Sequence, residues 1–140
     1  MPELHKHIVI KTRKDTIKQA ESKLKAALRD VVISDTELHN VLVSASEAVN
    51  NAVNHGNRND SMKNVTVDVD YKDDELTVGV EDEGGGFNPE NVPDPLLPEN
   101  LLKPSGRGIH IIKSLMDTVR FEFGPHGTRI VMTMKVGGHA

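Results

Sequence analysis

The segment that decides the fold is Glu47-Ala48-Val49-Asn50-Asn51-Ala52-Val53-Asn54-His55-Gly56. Glu47, Asn51 and His55 are spaced four residues apart, which places them on one face of a helix. Another face carries apolar residues that recur at helical spacing, namely Leu38, Val41, Leu42, Ala45, Val49 and Ala52. The pattern predicts a helix whose apolar side packs against a sheet.

The polar side of this helix has an unusual composition. Asn50, Asn51 and Asn54 fall within five positions, although asparagine is a poor helix former. A carboxamide one turn from the Glu47 carboxylate supplies the oxygen ligands that Mg²⁺ prefers and a base for a hydroxyl group. The alternative is a frayed helix end with surface amides, and the segment alone does not decide between the two.

Two glycine patterns follow later in the chain. Residues 78–82 are typical of a strand, and Asp82 begins an Asp-x-Gly-x-Gly pattern with Gly84 and Gly86. A carboxylate there can accept a hydrogen bond from an exocyclic amine such as that of adenine, and the glycines let a ligand approach the backbone. Residues 105–108 then open a helix with Gly-x-Gly, and a helix N-terminus attracts phosphate. Each glycine pattern alone also fits an ordinary turn, but all three segments in this order predict a nucleotide site.

With these residues in place, the chain resembles the gyrase/histidine-kinase ATPase superfamily, and within it the small bacterial anti-sigma factors that are serine-protein kinases. Residues 46–52 with His55-Gly56 resemble the N box of that family. Asp82, Gly84 and Gly86 resemble its adenine-side glycine box. The resemblance continues in Gly106 and Gly108, in residues 114–117 and in Gly127-Thr128, and it extends from about residue 5 to residue 136.

The resemblance implies a role for each matching residue. ATP would lie with its adenine against Asp82 and Thr128, and with its phosphates beneath residues 106–108. Asn51 would hold Mg²⁺, and Glu47 would take the proton of a seryl or threonyl hydroxyl on a protein substrate. Arg107 would either touch the γ-phosphate or only cap and solvate the loop.

The resemblance also implies partners. It indicates a protein that binds a sigma factor to block transcription and phosphorylates an anti-anti-sigma protein. It further implies a homodimer. These expectations come from the family and not from the spacing of residues.

Composition limits the alternatives. A chain of 140 residues suits one domain. The net charge is −4 with no basic block, which argues against a nucleic-acid partner. There are no cysteines, so disulfides and thiol catalysis are excluded. No apolar stretch approaches the roughly 20 residues that span a bilayer, and no signal-peptide pattern is present, so we expect a cytoplasmic protein without membrane segments.

The periodicity of apolar residues predicts an α+β sandwich, in which a mixed, mostly antiparallel sheet carries helices on one face. Ser34-x-x-Glu37 predicts a capping box at the start of the central helix. Asp73-Asp74 predicts a turn rather than a calcium loop, because the remaining ligand spacing is absent. The predicted strands are residues 5–11, 64–71, 75–81, 119–123 and 128–136, and the predicted helices are residues 15–32, 34–56 and 106–116.

Residues 88–105 separate the two glycine patterns, and five of the seven prolines lie between Pro89 and Pro104. Proline at this density excludes regular structure. Long loops inside compact domains are often functional lids, so we expect an ATP lid here, with a spacer that has no role as the alternative.

The histidines allow a second kind of site. His5 and His7 lie two apart on the first predicted strand and could bind a metal, but a solvent-facing pair is the simpler interpretation. His55 is expected to interact with the dipole at the end of its helix rather than to act as a base.

Three function classes therefore compete: a protein serine kinase and anti-sigma factor, a regulatory module that binds ATP without transferring phosphate, and a detached histidine-kinase-type catalytic domain. An intact Glu47 argues against the inert module. The third class is disfavoured because the sequence has no phosphoacceptor helix and only a short interval between the N box and Asp82.

Overall fold

The computed structural model describes residues 3–84, 106–124 and 127–137, with the backbone alone for residues 106–108. The expected lid, residues 88–105, and Gly86 lie outside these ranges. The elements are β1 (Leu4–Lys11), α1 (Thr16–Ala27), α2 (Asp35–Asn51), a π turn (Ala52–Gly56), β2 (Asn64–Lys72), β3 (Glu75–Glu81), α3 (Gly106–Leu115), β4 (Thr118–Gly124) and β5 (Gly127–Lys135).

The strands form one five-stranded sheet in the order β1-β2-β3-β5-β4. The two-layer α+β architecture is confirmed, but all four pairings are antiparallel, so the described sheet is not mixed as predicted. Two helices, α1 and α2, connect β1 to β2 and bring the chain back to the end of the sheet where β1 finishes. Strand β2 therefore runs antiparallel to β1, whereas a single crossover helix would produce a parallel pair. Strands β3 and β4 are not paired with each other, because β5 lies between them in the sheet.

Alternation on the central strands builds the core. Every second residue of β2 from Val65 to Tyr71 is buried, and the neighbouring strands present buried aliphatic residues to the same layer. Helices α1, α2 and α3 cover this layer with Leu24, Val49 and Ile112. Among the described residues, Tyr71 is the one aromatic residue in the set of most completely buried side chains, so the core is mainly aliphatic.

Local signals explain where the helices begin and end. Ser34 and Glu37 form the predicted capping box at the start of α2. Helix α1 is shorter than predicted, since it ends at Ala27 rather than Val32. Residues 31–33 are β-branched and favour extended backbone, and the N-cap Ser34 is extended with φ −74° and ψ 163°.

The β2–β3 hairpin has a two-residue turn at Asp73 and Asp74, whose φ angles are 52° and 62°. Positive φ at both central residues matches the turn whose twist suits the flanking strands. The Tyr71 hydroxyl donates a hydrogen bond to Asp74 Oδ1 at 3.1 Å. The predicted turn is thus confirmed, and its second aspartate accepts a hydrogen bond from the buried tyrosine.

Candidate functional site

Asp82 lies directly after β3 and is only 8% exposed. Its backbone N–H donates to the carbonyl of Thr128 at 3.0 Å. Its Oδ1 accepts hydrogen bonds from the backbone N–H groups of Gly84 at 2.9 Å and Thr128 at 3.1 Å. Within the described ranges Oδ2 accepts no hydrogen bond, so one oxygen of a fixed carboxylate is available to an amine donor.

Burial is the main cause of a raised pKa at Asp82, and the two backbone N–H groups oppose it. The nearby Glu81 also raises this pKa, whereas Lys63 lowers it. A raised pKa means that the ionised carboxylate is held at a cost to the folded protein. Such a cost is typical of a group kept for a ligand rather than for the fold.

Three glycines surround the Asp82 carboxylate so closely that no side chain would fit. A Cβ on Gly56 would lie 2.1 Å from Asp82 Oδ2, and a Cβ on Gly127 would lie 2.1 Å from the Asp82 carbonyl oxygen. A Cβ on Gly84 would lie 2.5 Å from the carbonyl oxygen of Gly56. The end of the central helix, the loop after β3 and the start of β5 therefore meet at this one carboxylate.

Gly56 was expected at the end of the central helix, and its closeness to Asp82 gives a sharp test. On helix propensity alone, Gly56→Ala should stabilise the protein by up to about 1 kcal/mol. Because the new Cβ would overlap the Asp82 carboxylate, we instead expect a loss of about 1–3 kcal/mol in unfolding free energy, the usual cost of overpacking. Denaturant titration measures it, and unchanged or increased stability would contradict this packing.

Gly124→Ala is the matched control for that experiment. Among the described residues, the nearest atom to a Cβ on Gly124 would be the Gly127 carbonyl oxygen, at 3.9 Å. The stability of Gly124→Ala should therefore stay within about 0.5 kcal/mol of wild type, because the added Cβ overlaps none of the described atoms.

A π turn brings Gly56 to the carboxylate. The helix is α-helical up to Asn51, after which the N–H of Asn57 donates to the carbonyl of Ala52 at 2.7 Å, a five-residue separation. Single π turns are rare and occur often at functional sites. The periodicity of the sequence predicted the helix to Gly56 but not this change of hydrogen bonding.

The run of asparagines separates into two groups. Asn54 Nδ2 donates to Asn50 Oδ1, so these two amides pair with each other along the helix surface. Glu47 and Asn51 lie one turn apart in the last turns of α2, and both side chains are half-buried. Their predicted roles as base and Mg²⁺ ligand stay predictions. The helix that carries both residues continues to Gly56, which with Asp82, Gly84 and Gly127 forms the Asp82 cluster.

Asn57 is a buried polar residue that sequence analysis missed. It follows Gly56 and has no exposed surface. Its Oδ1 accepts a hydrogen bond from the N–H of Glu83 at 2.7 Å. A polar residue after a helix-ending glycine is an ordinary surface loop residue in sequence terms, so no local pattern signalled its burial.

The second glycine pattern is placed as predicted at the level of the backbone, because α3 begins at Gly106. Gly108 lies in its first turn, where helix N–H groups point away from the helix. The side chain of Arg107, to which two alternative roles were assigned, lies outside the described part of the chain. The described residues contain no cluster of three or more potential metal-ligating His, Cys, Asp or Glu side chains.

The two N-terminal histidines face solvent. His5 Nδ1 contacts Asp70 Oδ1 at 2.6 Å, and His7 Nδ1 contacts Asp68 Oδ1 at 2.5 Å, each directly across the β1–β2 pairing. Hydrogen bonding to Asp70, with a smaller contribution from Glu3, raises the pKa of His5. These are surface pairs distant in the sheet order from Asp82, and they take no part in the candidate site. His55 is exposed at the end of the π turn, in the position expected.

Known proteins that are similar to this chain include ATPase domains and anti-sigma factors. The model of the histidine kinase-like ATPase domain family matches residues 10–134. An anti-sigma F factor of Clostridium perfringens is 35% identical over 105 residues, which cover 71% of this chain and 74% of that protein. One from Clostridium acetobutylicum is 38% identical over 102 residues, covering 71% of each chain.

Solved structures share the fold. The RsbU and RsbW domains of a Mycobacterium tuberculosis protein match with a TM-score of 0.70 and 20% identity over 97% of this chain and 32% of that one. The histidine kinase domain of a blue-light activated histidine kinase from Erythrobacter litoralis matches with a TM-score of 0.57 and 17% identity over 86% of this chain and 59% of that one. Among the described residues, no helix is both long and apolar enough to cross a membrane.

Proposed function

Because this chain belongs to the histidine kinase-like ATPase domain family and is a relative of the anti-sigma F factors, we propose that it is an ATP-dependent serine/threonine-protein kinase that acts as an anti-sigma factor. The observation that carries the proposal is the close packing of Gly56 against the buried Asp82 carboxylate. Gly56 ends the π turn that continues the helix with Glu47 and Asn51.

The Asp82 cluster fits the adenine of ATP. Its Oδ1 is held by two backbone N–H groups, and its Oδ2 lies over Gly56, where only a hydrogen is tolerated. A planar base with an exocyclic amine matches such a site, because the amine donates to the carboxylate and the glycines let the ring approach. Thr128 and Gly84 fix the carboxylate through their backbone N–H groups, and we assign Gly86, two residues further along the sequence, to the same adenine site. The start of α3, residues 106–108, would receive the phosphates.

Glu47 and Asn51 would serve the transfer step. Phosphoryl transfer needs positioning and charge neutralisation more than covalent chemistry from the protein. Glu47 would accept the proton of the attacking seryl or threonyl hydroxyl. Asn51, one turn further along the same helix, supplies a carboxamide oxygen of the kind Mg²⁺ binds, and the ion would neutralise charge on the phosphates.

The partners follow from the relatives. Proteins named anti-sigma F factor are 31–38% identical to this chain, which supports a sigma factor as the inhibited partner and an anti-anti-sigma protein as the substrate. We place these events in the cytoplasm and expect a homodimer. Co-purification from native cells at low salt, with mass spectrometry and light scattering, should recover a sigma factor or a small antagonist with a dimer of this chain, and recovery of neither partner would contradict the anti-sigma role.

Nucleotide selectivity tests the site itself. ATP and ADP with Mg²⁺ should raise the melting temperature, since a ligand that binds only the folded state stabilises it. GTP should stabilise less, because guanine presents a carbonyl where adenine has the amine and the Asp82 carboxylate would repel it. Thermal-shift titration makes the comparison, and equal stabilisation by ATP and GTP would remove Asp82 from the adenine site.

A further inference from the structure

Asn57 forms a set of hydrogen bonds that joins four parts of the chain. Its Oδ1 accepts from the N–H of Glu83 at 2.7 Å, and its Nδ2 donates to the carbonyl of Asn64 at 2.9 Å and to Thr12 Oγ1 at 2.9 Å. Its own N–H closes the π turn on Ala52. One buried side chain thus connects the end of the central helix with the loop after β3, the start of β2 and the end of β1.

The orientation of this amide is determined by its partners. The Glu83 N–H can only donate, so the atom facing it must be oxygen, and the Asn64 carbonyl can only accept, so the atom facing it must be nitrogen. Thr12 Oγ1 donates its own proton to the Lys63 carbonyl at 2.8 Å and therefore accepts from Asn57. An aspartate at position 57 could keep the first bond but would lose both donors.

The bond to Glu83 acts directly on Asp82. The peptide group between Asp82 and Glu83 is held by Asn57 on one side, while the N–H of Asp82 is held by the Thr128 carbonyl on the other. Holding both peptide groups that flank a residue fixes its φ and ψ, and with them the direction of its Cα–Cβ bond. The bonds from the Gly84 and Thr128 N–H groups to Oδ1 then set the torsions of the carboxylate. Of the two bonds that hold the peptide groups, the one between Asn57 and the Glu83 N–H connects Asp82 to the end of the central helix.

We propose that Asn57 is a positioning residue for base recognition: it orients the Asp82 carboxylate toward the exocyclic amine of adenine through its bond to the Glu83 N–H. This inference rests on the proposed ATP site, and it assigns part of the selectivity for adenine to a side chain that does not touch the nucleotide. The π turn contributes to this arrangement, because it brings the Asn57 side chain within hydrogen-bond distance of the Glu83 N–H while Gly56 leaves room for the Asp82 carboxylate.

The test compares ATP with inosine triphosphate, which has a carbonyl in place of the amine and a proton on N1. Equilibrium binding of both nucleotides by calorimetry gives an affinity ratio that reports the hydrogen bond to Asp82. Wild type should prefer ATP by about 10-fold or more, the usual worth of a hydrogen bond to a charged group. Asn57→Ala should reduce the preference to about threefold or less, whereas a residue that served only the fold would leave the ratio unchanged.

Thr12→Val is the matched control, because it removes a bond from the same network without touching Glu83. It should destabilise the protein and yet keep the ATP preference within about twofold of wild type. Should Asn57→Ala not fold at the assay temperature, Asn57→Ser gives the same comparison, since its hydroxyl is too short to span both sides of the network.

The outcomes separate the two levels of the proposal. A wild-type protein with no preference for ATP over inosine triphosphate would defeat the adenine site and the role of Asn57 together. A wild-type preference that persists in Asn57→Ala, or that is lost equally in Thr12→Val, would overturn the positioning role alone.

Discussion

Glu47→Gln should reduce phosphoryl transfer by about 10²–10⁴-fold, the usual contribution of a positioned general base. A seryl hydroxyl is a poor nucleophile, and glutamine cannot accept its proton. The substitution keeps the shape of a half-buried side chain on α2, so ATP affinity should change by less than about threefold. The assay is transfer of labelled γ-phosphate to the co-purified protein substrate, with ATP affinity measured in parallel.

Asn51→Ala is the comparison that gives this result its meaning. Removal of a Mg²⁺ ligand should lower metal-dependent nucleotide binding together with turnover, whereas removal of a base lowers turnover alone. Equal transfer rates for wild type and Glu47→Gln would remove Glu47 from the chemical step. A parallel loss of ATP affinity in both variants would make Glu47 part of the metal site.

Asp82→Asn should weaken ATP binding by about 10–100-fold, because a charge-assisted hydrogen bond to the adenine amine is lost. The unliganded protein should not lose stability. An amide oxygen at Oδ1 can still accept from the Gly84 and Thr128 N–H groups, and the substitution removes a charge that burial disfavours. Calorimetry measures the affinity and denaturant titration the stability, and a large loss of stability would mean that the carboxylate serves the fold.

The raised pKa of Asp82 sets the direction of a pH dependence. A carboxyl group whose pKa is raised on folding lowers stability at neutral pH, and this cost disappears as the pH falls through the raised pKa toward the unfolded value. The stability of Asp82→Asn relative to wild type should therefore be greatest near neutral pH and shrink in acid. A gap that widens in acid would contradict burial as the dominant influence on Asp82.

Local rules predicted most of the elements. The capping box at Ser34, the turn at Asp73-Asp74 and the strand with alternating burial at residues 64–71 each depend on neighbours in sequence, and all three are confirmed. The direction of pairing was wrong in one respect, since the described sheet has no parallel pair. Pairing depends on how many helices connect two strands and on which strand inserts between them, which the periodicity of one strand does not contain.

The candidate site shows the same division. Asp82 and the glycine patterns could be identified from residue types, because close approach of a ligand calls for glycine beside a hydrogen-bonding group. The closeness of Gly56 to Asp82 could not, because it depends on a π turn that shifts the helix end. Asn57 was missed because its partners Thr12, Asn64 and Glu83 come from segments far apart in sequence.

Phosphoamino-acid analysis after incubation with labelled ATP and the co-purified substrate tests the central claim most directly. A serine or threonine kinase predicts acid-stable label on a seryl or threonyl residue of the partner, dependent on Mg²⁺ and absent with Glu47→Gln. Acid-labile label on histidine would identify a detached histidine-kinase-type domain. Tight ATP binding with no label on any co-purified protein would contradict the kinase and leave a regulatory module that holds ATP.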